Sequence, residues 1–118
     1  MTALDEFIEK RRAGNRAVLG RDHLGIKRFY NLDEAAYRDG ALPARTKELC
    51  GLVASLVLRC NDCVDYHLVQ CLQAGWSDEE VVDALNVGLI VGGSIVIPHL
   101  RQAVATLDEL RQRGGVAL

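Results

Sequence analysis

The chain is poor in aromatic residues, in net charge and in long apolar runs, and each shortage removes a class of protein. Aromatics supply 5% of the 118 residues, while hydrophobic residues as a whole reach 49%. A composition so aliphatic and so poor in rings suits helices packing closely on helices, including those of other subunits. The formal net charge of −2 offers no broad attraction to nucleic acid or to an anionic membrane. The one short basic group, Lys10 to Arg12, follows Glu9 and reads as a solvated helix face. The longest apolar run, "ALNVGLIVGGSIVIP", is interrupted by three glycines, an Asn and a Ser. It is also shorter than the roughly 20 residues of a spanning helix.

Other absences narrow the reading further. The opening "MTALDEFIEKRR" has acids where a secretory signal would be apolar, so a cytoplasmic location is expected. In that reducing compartment a Cys-x-x-Cys pair points to catalysis or metal binding rather than a permanent cross-link. No strand alternation, internal repeat, low-complexity tract or linker is visible, and no G-x-G-x-x-G or P-loop surrounds Gly92-Gly93. Those glycines read as a site of close helix or subunit approach. The expectation is an all-α fold of about six helices in one domain, 1–118.

What is present is helical periodicity. The first segment, about 2–19, carries Leu4, Phe7 and Ile8 on one stripe and thins at Gly14-Asn15. The second, about 22–38, is expected to break near Asn31 to Asp33. "RDGALPAR" is a turn, with Gly40 ending one helix and Pro43 tolerated in the first turn of the next. The segment 43–58 is apolar on most faces and is expected to be central and buried. Its polar exceptions, Glu48 and Ser55, share a face. A helix over about 61–74 stops at Gly75, beside which Trp76 reads as a packing anchor. Ser77 and Glu80 form a capping box that opens a helix to about Val91. The last helix runs from about Ser94 or Ile95 to Arg113, with Pro98 in its first turn.

All four cysteines lie between Cys50 and Cys71. Cys63 and His67 are one turn apart and stack on one face of their helix. Cys60 stands one turn earlier, at the helix N-terminus, where unsatisfied N–H groups and the dipole favour a thiolate. An imidazole one turn along can take a thiol proton. Such surroundings lower a Cys pKa from about 8.5 into the range of about 3.5–7.5. A redox-active dithiol is therefore permitted. A zinc clip needs four ligands, and only Cys60, Cys63 and His67 are contiguous, with Glu48 and His99 able to approach only through folding. Cys50 and Cys71 read as buried packing. His23 and His99 have no partner visible in the sequence and read as structural or solvated.

Glu48, Cys60, Cys63 and His67 make the pattern E-x11-C-x-x-C-x3-H, preceded by "GALPARTKEL" and followed by "AGWSDEEVVDALNVGLIVGG". This combination resembles the AhpD-like alkylhydroperoxidase and carboxymuconolactone decarboxylase family over about residues 30–110. The resemblance implies an AhpD-like helical bundle and a thiol-dependent, peroxiredoxin-type oxidoreductase. The cysteine matching Cys63 would attack the peroxide and become a sulfenic acid, and the one matching Cys60 would resolve it into a disulfide. Glu48 and His67 would form the proton relay. Helix-end electrostatics alone favour Cys60 as the more acidic thiol; the contact of Cys63 with His67 favours the family's assignment.

The resemblance also implies that no cofactor or metal is needed. The substrate would be a hydroperoxide or a partner disulfide, and electrons would come from an external thiol donor such as a lipoyl or thioredoxin-like protein. A homo-oligomer is implied too, a trimer or hexamer. One position departs from the peroxidase branch, which carries a histidine directly before the second cysteine; here it is Asp62. A carboxylate there disfavours the Cys63 thiolate and removes a relay member. Two alternatives stand beside this reading: decarboxylation of a muconolactone-type acid, and a non-enzymatic oligomeric domain with a structural Cys/His zinc site.

Overall fold

The computed structural model describes residues 1–118 and contains six α-helices, one short 3-10 turn and no strand. The chain divides into two compact units, Met1–Ala44 together with Leu118, and Arg45–Ala117. No helix is long and apolar enough to cross a membrane.

The first unit holds α1 (Ala3–Leu19) and α2 (Leu24–Ala36). Thr2 and Asp5 form a capping box at the start of α1: the Asp5 amide donates to Thr2 Oγ1 at 3.2 Å, and the Thr2 amide to Asp5 Oδ2 at 3.0 Å. His23 is the N-cap of α2, its Nδ1 accepting from the Ile26 amide at 3.3 Å. The break expected near Asn31 to Asp33 does not occur. α1 passes through Gly14-Asn15 and α2 through Asn31 to Asp33 unbroken. A mid-helix glycine costs only about 1 kcal/mol against alanine, less than the ladder around it supplies. The Tyr30 hydroxyl also donates to Asn15 Oδ1 at 3.1 Å and joins the two helices at that point. α2 buries none of its residues; Phe29 and Leu32 are exposed.

The second unit holds α3 (Ala44–Val57), α4 (Asn61–Gln73), α5 (Asp78–Gly92), the turn Ser94–Val96 and α6 (Ile97–Arg113). Leu52, Leu56, Val64, Leu68, Leu85 and Val96 are fully buried in it. Ser77 and Glu80 cap α5 reciprocally, and these bonds hold the Glu80 carboxyl below its ordinary range. Gly93, at φ 80°, makes the left-handed turn that ends α5, a conformation a side chain would strain. Trp76 is anchored as expected. Its Nε1–H donates to the Arg45 carbonyl at 2.8 Å, and the Arg45 guanidinium lies 3.8 Å from the ring centroid.

One expectation needs correcting here. α3 is not buried on all sides: only Leu52, Ser55 and Leu56 are, while Cys50 and Ala54 are exposed. Its outer face and α5 line an open apolar groove of about 680 Å³, bordered by Thr46, Val53, Trp76, Asp83 and Val87. The apolar pattern that implied a central helix serves two surfaces, one inside the unit and one facing out.

Candidate active site

The site begins with how α3 stops. The Cys60 amide donates to the Ser55 carbonyl at 3.1 Å and the Arg59 amide to the Leu56 carbonyl at 3.0 Å. This is a Schellman stop with Arg59 at its left-handed position, φ 61°. Glycine usually occupies that place, and a side chain there costs about 1–2 kcal/mol. The next residue, Cys60, is at once the end of this stop and the N-cap of α4. Its sulfur accepts from the Cys63 amide at 3.2 Å. Two helix ends thus fix the backbone of the Cys-x-x-Cys.

Cys60 and Cys63 are joined in a disulfide, with Cα atoms 5.2 Å apart. Cys63 is exposed and Cys60 half-buried. One turn beyond Cys63, His67 is buried, and its Nδ1 donates to Glu48 Oε2 at 2.8 Å. The carboxylate can only accept, so the neutral ring carries its proton on Nδ1 and keeps a lone pair on Nε2. Gly51 makes room for this ring. A Cβ at that position would lie 2.5 Å from His67 Cε1 and 2.7 Å from Nε2. The structure therefore brings together Glu48 of α3 with His67 of α4, and Cys60, the N-cap of α4, with Cys63 in its first turn.

The other two cysteines differ from each other. Cys71 is buried as expected, and burial, reinforced by the charge of Glu48, pushes its thiol up to about 12. Cys50 is exposed, in the α3/α5 groove, which corrects the expectation that it packs inside. None of Glu48, Cys60, Cys63 and His67 lines that groove. No three His, Cys, Asp or Glu side chains gather as metal ligands would. Asp62, between the cysteines, is exposed.

A polar seam between α4 and α6 was not legible in the sequence. His99 Nδ1 donates to Asn61 Oδ1 at 2.8 Å. One turn deeper, the buried Asp65 carboxylate accepts from Gln102 Nε2 at 2.8 Å through both oxygens, and from Thr106 Oγ1 at 2.8 Å. Burial raises the Asp65 pKa above its ordinary 3.8; the two hydrogen bonds oppose this and the nearby Asp62 charge adds to it. Gln102 Oε1 is buried with no partner. The spacing 99, 102, 106 facing 61 and 65 was the available signal: one helical stripe of polar residues opposite another.

Known proteins resemble this chain in sequence and in fold. The sequence profile of the carboxymuconolactone decarboxylase family matches residues 26–106. An uncharacterised protein of Cupriavidus necator is 32% identical over 82 residues, covering 70% of this chain and 73% of its own. A second, encoded in the cox locus of Paracoccus denitrificans, is 29% identical over 82 residues, 70% of this chain and 74% of that one. A crystal structure from Thermotoga maritima superposes with a TM-score of 0.89 at 60% identity, covering 92% of this chain and 96% of that chain. Another, at a TM-score of 0.86 and 61% identity over 91% of each chain, is a carboxymuconolactone decarboxylase family protein with a suggested part in the antioxidative response. A Legionella pneumophila protein at 24% identity, with a TM-score of 0.74 over 90% of this chain and 92% of its own, shares the fold. With its profile match across 26–106, the chain belongs to the carboxymuconolactone decarboxylase family.

Proposed function

We propose that the protein is a thiol-dependent peroxidase or disulfide oxidoreductase whose working group is the Cys60/Cys63 pair. The observation that carries this reading is the pair itself, closed at the N-terminus of α4, with His67 one turn along the same helix and bonded to Glu48 of α3. In the reduced enzyme the Cys63 thiolate attacks one oxygen of the hydroperoxide. The O–O bond breaks, the alkoxide leaves as the alcohol with a proton relayed from His67, and Cys63 becomes a sulfenic acid. Cys60 then gives up its thiol proton and attacks the Cys63 sulfur; the S–S bond forms and the hydroxyl leaves as water with that proton. An external dithiol of lipoyl or thioredoxin type reduces the disulfide and is itself oxidised. Exposure of Cys63 supports its role as attacker. The amide bond to the Cys60 sulfur suits Cys60 as the thiolate that forms second and leaves readily on reduction.

The family's decarboxylase chemistry has no use for a dithiol, so the cysteine pair favours the redox reading. Homo-oligomeric assembly, as a trimer or hexamer, is part of the proposal; the exposed Val87, Ile90 and Val91 of α5 support it. The test is turnover of an organic hydroperoxide, and of a partner disulfide, with a dithiol donor. Cys63→Ser should abolish both; turnover unchanged in that variant ends the proposal. Release of carbon dioxide from a muconolactone-type acid would favour the alternative.

A further inference from the structure

The Glu48–His67 pair accounts for the proton of one thiol, and the cycle has two. Resting on the dithiol reading above, we propose that His99 is the proton partner of Cys60, docked for that purpose on Asn61. Asn61 directly follows Cys60, in the first turn of α4, and its side-chain oxygen can only accept. The bond to His99 Nδ1 at 2.8 Å therefore fixes the tautomer. The lone pair is left on Nε2, as it is in His67. The dithiol thus has two imidazoles of the same tautomer, a buried one from within α4 and a half-buried one from the first turn of α6.

During ring closure, Cys60 passes its thiol proton to His99 Nε2 and its sulfur electron pair forms the bond to Cys63. The hydroxyl of the sulfenic acid departs as water with that same proton, handed on by His99. On reduction His99 takes the proton of the attacking donor thiol and delivers it to the Cys60 thiolate as the S–S bond breaks.

The elements that pack on α6 are α4, α5 and the Ser94–Val96 turn. Arg59 flanks Cys60, and Asp62 and Asp65 lie on the facing helix, Asp65 being engaged by Gln102 and Thr106. Arg101 lies on α6 itself. The acids of α5 crowd its first turns, where Asp78 pairs with Arg111, three turns along α6 from His99. The Ser94–Val96 turn has no titratable side chain. Of the two thiols, Cys60 is the one adjacent in the chain to the residue on which His99 docks.

The test measures each thiol alone, without hydroperoxide, so it stands or falls separately from the peroxidase reading. Cys60 is isolated in a Cys50→Ser/Cys63→Ser protein and Cys63 in a Cys50→Ser/Cys60→Ser protein, and iodoacetamide alkylation is followed by mass across pH. His99→Gln should slow alkylation of Cys60 about tenfold at neutral pH, the rate recovering at alkaline pH, because a thiol one unit less acidic has a tenth of its thiolate. Cys63 should keep its profile. Asn61→Ala, which leaves His99 in place but undocked, should move Cys60 the same way by less. An unmoved Cys60 profile, or equal movement of both thiols, overturns the proposal.

Discussion

His67 and Glu48 meet at 2.8 Å although 19 residues separate them, and the bond joins α4 to α3 one helical turn along from Cys63. Both side chains are largely shielded, with 9% and 12% of their surfaces exposed. A pair held this far from solvent keeps one geometry, which a proton relay requires.

Replacing Glu48 by Gln keeps an acceptor oxygen near His67 and removes the charge. Peroxide turnover should fall by about 100-fold, the lower end of what positioned acid–base groups contribute. Circular dichroism should show the same helix content. A full rate in this variant would take Glu48 out of the relay.

Gly51→Ala places a methyl group where the His67 ring now lies. Overpacking of this kind costs about 1–3 kcal/mol. Since the ring must turn away from Glu48, thermal stability and turnover should drop together. A variant with unchanged melting and unchanged rate would show that the ring does not need this space.

Asp65 supplies a pH test with a definite sign. Its folded-state pKa lies above the ordinary 3.8, mainly through burial. Between those two values the folded chain holds more protons than the unfolded one. Stability attributable to this group therefore falls as pH rises through that window, and the deficit persists above it. Asp65→Asn removes the deficit and gives Gln102 Oε1, now without a partner, an amide donor after rotation of the Gln102 amide. Urea melts from acid to neutral pH should show the variant gaining on the wild type across the window. A constant difference between the two would contradict the assignment.

The free thiols should separate cleanly. In the native, oxidised protein, iodoacetamide should label exposed Cys50 and spare Cys71, which is buried and pushed up to about 12. Labelling of both at one rate would mean that α4 opens readily.

Much of this was legible in the sequence because the signals were local. The Ser77–Glu80 capping box, Pro98 in the first turn of α6 and the stop at Gly75 are each set by neighbouring residues, and the helices begin and end close to where these place them. The i, i+4 relation of Cys63 to His67 is likewise a property of one helix. What was not legible depended on contacts between helices. The pairing of His99 with Asn61 spans 38 residues, and the Asp65 network rests on α6. Cys50 looked like core because α3 is apolar on two faces, and composition does not say which face turns outward. Arg59 carries no sign of its left-handed backbone, since any residue but glycine argues against one.

The most direct test of the account is the intact mass of the reduced protein after one equivalent of an organic hydroperoxide. It is made in a Cys50→Ser background, beside Cys60→Ser and Cys63→Ser. The account predicts that the parent loses two hydrogens as the Cys60–Cys63 bond closes, that Cys60→Ser gains one oxygen, and that Cys63→Ser stays reduced. A parent that remains reduced, or a Cys63→Ser protein oxidised as fast as its parent, would contradict it.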